Sequence, residues 1–188
     1  MGKTLGYIAP ASVWAQKNQG PVWLSTFTRN LQHQIDGELD RLYPRRADKE
    51  LKVVIRKGRE NYLCLLNLAD KVRGIGAQPP GNAIALALLA RWAASSRDGD
   101  MVGGDFPAWL ADLTGRGRTF GLTDRRGECI YSACEFYRKC FIERSIRRAR
   151  RAELVVANHA LVMIQAALGG EEGALPRRYV FDEGHHIF

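Results

Sequence analysis

Long apolar runs and acidic residues are scarce in this 188-residue sequence. Its longest apolar stretch, residues 83–90, falls far short of the roughly 20 residues that a membrane-spanning helix needs. The N-terminus shows no basic segment followed by an apolar one, which is the mark of a secretory signal. We therefore expect an intracellular, cytoplasmic protein rather than a secreted or membrane-spanning one.

The shortage of acidic residues leaves a strong excess of positive charge. Aspartate and glutamate number 20, whereas lysine and arginine number 28, and the formal net charge is +8. Such an excess favours an anionic partner, and nucleic acid is the usual one. Otherwise the composition, with 46% hydrophobic and 26% charged residues, is that of an ordinary globular protein.

Cysteine is also rare, but its four copies are not spread evenly. Cys129, Cys134 and Cys140 lie close together and Cys64 stands apart, which gives the spacing C-x64-C-x4-C-x5-C. In a reducing cytoplasm, clustered cysteines indicate metal binding more than disulfides. Four thiolates are the usual ligands of a [4Fe–4S] cluster, and structural zinc, which prefers two close pairs, is the main alternative. Four unrelated buried thiols are the remaining interpretation.

The two ends of the sequence alternate between apolar runs and helical periodicity. Four short runs have the composition of buried strands: residues 21–26, 51–55, 153–157 and 179–181. Helical spacing of apolar side chains appears between them: residues 5–15, 31–42 and 160–168. This alternation predicts an α/β fold with a parallel sheet.

The middle of the sequence has a different character. Between residues 57 and 151 no convincing strand occurs, and helical stretches are separated by Gly-rich breaks: residues 61–71, 82–94 and 108–113. We expect an α/β domain split between residues 1–57 and 152–188, interrupted by a mostly α-helical insertion at residues 58–151.

Two short motifs near the ends indicate nucleotide chemistry. Gly2, Lys3 and Thr4 match the last three positions of a P-loop, whose backbone N–H groups cradle phosphates while the lysine reaches phosphate oxygens and the hydroxyl holds Mg²⁺. At the other end, an apolar run leads into Asp182 and Glu183. ATP hydrolysis needs one carboxylate at the metal and another to take a proton from water. A chance tripeptide and a solvated turn are the alternatives.

Five landmarks then occur in order. They are residues 22–35 with Ser25, Thr26 and Gln32 as a motif Ia, KGRENYLC at residues 57–64, the cysteine triplet, VVANHAL at residues 155–161, and DEGH at residues 182–185. Together they closely resemble the iron–sulfur DNA helicases of superfamily 2, the xeroderma pigmentosum group D type. Within that group the bacterial DinG branch is the most similar.

The resemblance implies a truncated RecA-like P-loop motor domain that carries a largely helical [4Fe–4S] insertion. The parent would be an ATP-dependent helicase that moves 5′ to 3′ on single-stranded or forked DNA, in repair or replication at the bacterial nucleoid. Transferred position by position, the roles are: Gly2, Lys3 and Thr4 for ATP phosphates, Asp182 for Mg²⁺, Glu183 for water activation, His185 for coupling to DNA, and Cys64, Cys129, Cys134 and Cys140 for the cluster.

The sequence departs from the family pattern in three ways. The first positions of the P-loop would precede Met1, and Gly184 stands where the family more often has alanine. The second motor domain, with its ATP-site arginines, is absent from these residues. We therefore expect a fragment that is inactive as an ATPase by itself. A non-catalytic, metal-stabilised DNA-binding module is the alternative.

A basic stretch follows the last cysteine. Arg144, Arg147, Arg148 and Arg151 recur at i, i+3, i+4 and i+7, a spacing that places them on one face of a helix. We interpret this face as a surface that follows the phosphates of single-stranded DNA, because such binding needs a basic groove. A merely solvated helix face is the alternative.

Two other features favour structural roles. Asn158 is a good N-cap for the helical run that follows it, so His159 is expected to be structural. Four isolated aromatic residues have ring faces on which bases stack, but they fit a hydrophobic core better: Trp92, Phe106, Trp109 and Phe136.

Overall fold

The computed structural model describes residues 2–77, 80–114, 120–124, 127–167 and 178–187. The chain divides into two compact units. We call residues 1–57 together with 145–188 the sheet unit, and residues 58–144 the helical unit.

The sheet unit contains a four-stranded parallel sheet. Its strands are β1 (Val22–Thr26), β2 (Val53–Ile55), β3 (Leu154–Asn158) and β4 (Tyr179–Phe181), in the order β2-β3-β1-β4. The central strand β1 is buried along its whole length, as expected of an apolar run covered on both faces. The predicted α/β class with a parallel sheet is confirmed.

Helices and short 3₁₀ turns make up the rest of the regular structure. In chain order the α-helices are α1 (Lys3–Asn18), α2 (Arg29–Leu42), α3 (Arg46–Lys52), α4 (Leu65–Arg73), α5 (Pro80–Ser95), α6 (Ala108–Thr114), α7 (Phe141–Ala149) and α8 (His159–Ala167). The 3₁₀ turns are Arg59–Asn61, Ile75–Ala77, Phe120–Leu122, Tyr131–Ala133 and Gly184–Ile187.

Apolar side chains cover both faces of the sheet. On one face, α1 and α2 bury Ile8, Ile35 and Leu39 against Leu24 and Val156. The opposite face has its own cluster, formed by the alternate strand residues and α8: Trp23, Val54, Val155, Ala157, Leu161 and Val162 with Ala149 and Ala152. Alternation of side chains along each strand produces this three-layer arrangement.

Two local features of the sheet unit differ from the sequence pattern. Residues 51 and 52, expected in a strand, form the end of α3, and Leu51 is 75% exposed. The strand begins only at Val53, where pairing with Leu154 starts. Helix α1 continues through Pro10. Proline has no N–H to donate to the Gly6 carbonyl, and Gly6 is exposed to water, which can take the place of that donor.

The described part of the helical unit contains no strand, in agreement with the sequence. Isolated β-bridges join Tyr62 to Asp100 and Leu63 to Thr123. Gly99 adopts a positive φ of 66°, and a Cβ there would overlap the Phe141 ring. Glycine is needed at this point because only it combines that conformation with such a close approach.

Trp92 is buried in the helical unit and packs edge-to-face against Phe106, whereas Trp109 is 59% exposed. The core interpretation therefore holds for Trp92 and does not hold for Trp109. Among the described residues, no helix combines the length and hydropathy that a membrane span requires.

Candidate nucleotide site and cysteine region

The carboxyl ends of β1, β3 and β4 lie at one edge of the sheet. Thr26 pairs with Asn158, and Ser25 pairs with Phe181. The backbone N–H of Asp182 donates to the Ser25 carbonyl at 2.9 Å. Side chains that follow these strands therefore meet at the edge where ligands bind in open α/β sheets.

Helix α1 begins at this same edge. Gly2 precedes it with a φ of 117°, and no side chain in the described part of the chain caps its first turn. The first N–H groups of a helix have no partner within the helix, and together with the helix dipole they attract anions. The first turn of α1, with Lys3 and Thr4, thus has the character of a phosphate-binding site.

Asp182 lies at the centre of a small polar cluster. The Lys3 ammonium is 2.9 Å from its Oδ1, and the Tyr7 hydroxyl donates to its Oδ2 at 3.0 Å. Asp182 is 6% exposed, whereas the Lys3 side chain is 73% exposed. The sequence motifs did not include Tyr7; its position four residues after Lys3, on the same face of a helix, is the signal that locates it.

These contacts change the protonation behaviour of two groups. The hydrogen bond to Asp182, followed by the charge of that carboxylate, raises the pKa of Lys3. Burial, followed by the hydrogen bond to Asp182, raises the pKa of Tyr7. At neutral pH, Lys3 is therefore a cation and Tyr7 a neutral hydrogen-bond donor.

Asp182 Oδ1 is buried and lies 2.9 Å from the Lys3 ammonium, with which it forms an ion pair. A buried carboxylate oxygen whose neighbour is an exposed, exchangeable ammonium suits a hard cation such as Mg²⁺. The start of α1 and the Lys3 ammonium are suited to bind phosphate, and the Asp182 carboxylate is suited to bind Mg²⁺. Together these groups fit Mg²⁺ bound to a phosphate ester.

Glu183 follows Asp182 in an unusual backbone conformation. Its φ is 54°, in the left-handed region that non-glycine residues rarely adopt. The His186 ring lies near it, with Nε2 at 3.9 Å from Glu183 Oε2. The His185 ring lies 4.1 Å from that of His186. The structure therefore brings together Lys3, Asp182, Glu183 and the two histidines.

His159 is structural in the way the sequence predicts, with one further contact. Asn158 caps α8, accepting a hydrogen bond from the Leu161 N–H at 2.8 Å. The His159 ring is buried, and its Nδ1 is 2.6 Å from the Ser25 hydroxyl. Its Nε2 is buried and finds no hydrogen-bond partner among the described residues. Helix α8 is thereby tied to the end of β1.

The four cysteines all lie in the helical unit and are partly buried. Cys64 immediately precedes α4 and Cys140 immediately precedes α7, so backbone N–H groups of each helix start donate to the thiols. Burial is the main cause that raises the pKa of both thiols; the Cys140 charge adds to the rise at Cys64, and the Cys129 charge to that at Cys140.

Some of the cysteines lie near one another, but the described residues do not form a metal-binding group. Three of them interact electrostatically, but the described residues contain no group of three or more His, Cys, Asp or Glu side chains close enough to hold a metal ion. Their chemistry nevertheless fits an iron–sulfur cluster, whose sulfur ligands are commonly stabilised by backbone N–H donors.

The predicted arginine face is only partly formed. Helix α7 ends at Ala149, so Arg151 lies in the turn beyond it, where its N–H bonds the Arg148 carbonyl at 3.0 Å. Arg144 donates to the Arg97 carbonyl at 2.5 Å, and Arg148 to the Glu50 carbonyl at 2.7 Å. The opposite side of α7 is buried, through Ile142, Ile146 and Ala149.

No protein-family model matches the chain. It is 31% identical over 202 residues to the ATP-dependent DNA helicase YoaA of Escherichia coli. The matched region covers 99% of this chain and 28% of that protein. It is also 31% identical over 210 residues to the ATP-dependent helicase DinG of Mycobacterium tuberculosis, covering 99% of this chain and 30% of that protein.

This chain is similar to one segment of the DinG-like helicases. The DinG of Photobacterium profundum gives the same result, with 28% identity over 198 residues, 100% of this chain and 28% of that protein. The resemblance drawn from the motifs is thus confirmed, and the chain spans about 28–30% of the length of the curated relatives that it matches.

Proposed function

We propose that this chain supplies ATP-binding and DNA-binding parts of an ATP-dependent DNA helicase of the DinG type. The observation that carries the proposal is the meeting of Lys3 and Asp182, from opposite ends of the sequence, at 2.9 Å beside the start of α1. Local sequence does not produce such a contact; the parallel sheet does. The named relatives support the same activity.

In the proposed mechanism, the N–H groups at the start of α1 and the Lys3 ammonium orient the ATP phosphates. The Thr4 hydroxyl and Asp182 would hold Mg²⁺, and the ion would supply positive charge to the phosphates. Lys3 would then exchange its ion pair with Asp182 for phosphate. The Glu183 carboxylate orients the attacking water and accepts its proton. His185, in the same loop, couples hydrolysis to DNA.

We propose further that Cys64, Cys129, Cys134 and Cys140 hold a [4Fe–4S] cluster. Support comes from the ligand number, the partial burial of all four thiols and the helix starts behind Cys64 and Cys140. Zinc remains the competing metal, because it also binds four thiolates. The cluster would tie the loop that carries three cysteines to the start of α4.

For DNA, we propose that the basic residues around α7 contact the phosphates of a single strand, or of a fork, in the 5′ to 3′ translocation of the parent. Arg147 and Arg151 are exposed, and a basic groove is what sequence-independent single-strand binding requires. Such an activity places the protein at the bacterial nucleoid, in repair or replication.

Lys3→Ala tests the nucleotide site in the protein that carries this chain. We expect kcat/KM for ATP to fall by about 10–100-fold, since a charge-assisted contact to phosphate is lost. Lys17→Ala is the matched control, because Lys17 is an exposed lysine near the other end of α1. Wild-type hydrolysis by Lys3→Ala would contradict the proposed site. DNA binding with no ATP hydrolysis in the wild type would favour a metal-stabilised DNA-binding module.

A further inference from the structure

Beside the proposed nucleotide site lies a pair of stacked rings that the mechanism above does not use. The Phe27 ring, one residue beyond β1, stacks on the His186 imidazole, with ring centroids 3.9 Å apart and planes 12° from parallel. Phe27 is 48% exposed, so burial in a core does not explain the arrangement. Contacts of this kind fix the relative orientation of two side chains.

On one side, the ring pair reaches the carboxylate proposed to activate water. His186 Nε2 is 3.9 Å from Glu183 Oε2, and the His186 N–H donates to the Glu183 carbonyl at 3.1 Å. Glu183 itself has a φ of 54°, a conformation that persists in a non-glycine residue only where surrounding contacts hold it. His186 supplies two of those contacts.

On the other side, the ring pair is anchored to the end of β1. Ser25 is fully buried and bonded twice, by its carbonyl to the Asp182 N–H at 2.9 Å and by its hydroxyl to His159 Nδ1 at 2.6 Å. The Phe27 ring also lies against that of His159, with centroids 6.3 Å apart. A rigid strand end therefore sets the position of Phe27.

We propose that the Phe27–His186 ring pair is a positioning device, which holds the Glu183 carboxylate in place for the attacking water. This inference rests on the proposed function. His186, rather than His185, contacts both Glu183 and Phe27; the ring contact of His185 within the described residues is with His186. Phe27 and His186 are positioning residues because they act through Glu183.

The test compares Phe27→Leu with Phe27→Tyr in the protein that carries this chain, with and without oligo(dT). Leucine keeps apolar bulk and removes the stack, whereas tyrosine retains it. We expect Phe27→Leu to lower DNA-stimulated kcat by about 10–100-fold, because a small misplacement of a catalytic group has effects of that size. KM for ATP stays within about two-fold, since nucleotide binding is untouched. Phe27→Tyr restores most of kcat.

Phe181→Leu is the matched control. Phe181 is a similarly exposed ring at the end of the neighbouring strand, and its ring contacts are with His159 and Tyr179. We expect its kcat to stay near that of the wild type. Equal losses for Phe27→Leu and Phe181→Leu, or an unchanged kcat in Phe27→Leu, would overturn the inference.

A second measurement does not depend on hydrolysis. In NMR spectra of the 188-residue chain, the His186 ring protons should carry a ring-current shift from Phe27 that Phe27→Leu removes. Identical His186 signals in the wild type and in Phe27→Leu would contradict the inference. Absence of DNA-stimulated hydrolysis in the wild-type protein that carries this chain would instead contradict the proposed function.

Discussion

Single side chains decide the proposed chemistry at the sheet edge, and Glu183 is the clearest case. In the protein that carries this chain, Glu183→Gln should bind ATP normally and lower kcat by about 10²–10⁴-fold, because an amide accepts no proton from water. Nucleotide binding and turnover are measured separately to show the difference. A variant that hydrolyses ATP at the wild-type rate would remove Glu183 from its role as base.

Tyr7 is an uncharged neighbour that hydrogen-bonds Asp182, the proposed Mg²⁺ ligand. Tyr7→Phe deletes the hydroxyl that donates to Asp182 Oδ2 at 3.0 Å. We expect the affinity for Mg²⁺–nucleotide to fall by about 10–100-fold, as for other residues that orient metal ligands. The free energy of unfolding should fall by about 1–3 kcal/mol, because a buried carboxylate loses a donor.

Tyr43→Phe is the control for that change. Tyr43 also donates to a carboxylate, Glu153, at 3.1 Å, but Glu153 precedes β3 and so lies at the opposite edge of the sheet. It should show a similar loss of stability, measured by denaturant unfolding, with no change in nucleotide affinity. If both variants lost affinity equally, a general loss of stability would explain the effect of Tyr7.

At the scale of elements, α7 carries both a buried and a basic side. Arg147→Ala should reduce the slope of log K against log salt for single-stranded DNA by about 0.7, which is the contribution of one phosphate contact. Arg41→Ala is the control, because Arg41 is paired with Glu38 at 3.0 Å on α2. If Arg147→Ala left the salt slope unchanged, this side of α7 would be a solvated surface that does not bind DNA.

The ends of elements also explain where sequence reasoning fell short. The periodic arginines predict a face that includes Arg151, but the last turn narrows, with N–H groups of Arg151 and Ala152 both bonding the Arg148 carbonyl. Such closing turns are common at helix ends and are not visible in residue spacing. Likewise, Leu51 precedes β2 with strand-like neighbours, yet only Val53 onward finds pairing partners.

At the scale of the whole molecule, the proposed cluster concerns the helical unit. Protein purified without air should be coloured and contain about four irons per chain, as four cysteine ligands imply. Cys134→Ser should remove the colour and speed amide hydrogen exchange in α4 and α7, since metal–ligand bonds contribute folding free energy. The strands β1 and β3 should keep their protection, because their core is formed by the sheet unit alone.

Ser132→Ala is the control for Cys134→Ser, because Ser132 lies in the 3₁₀ turn between Cys129 and Cys134. It should keep both colour and iron. Stoichiometric zinc without iron in the wild-type protein would replace the cluster with a structural zinc site. Neither metal in protein prepared without air would leave the cysteines as ordinary thiols.

The sequence by itself determined the local elements. Apolar runs placed β1, β3 and β4, helical spacing placed α2 and α8, and Asn158 marked the start of α8 through a hydrogen bond of 2.8 Å. These features depend on neighbours within a few residues, so propensity and periodicity are sufficient to predict them. Motif spacing likewise located Lys3 and Asp182 as candidates.

Only the tertiary structure decided which candidates meet. The strand order β2-β3-β1-β4 brings Asp182 beside β1, and from there to Lys3 and Tyr7. The same order stacks Phe27 on His186 and bonds Ser25 to His159. Each of these contacts joins residues far apart in the chain, and their geometry follows from how buried strands pair and pack, which no local pattern encodes.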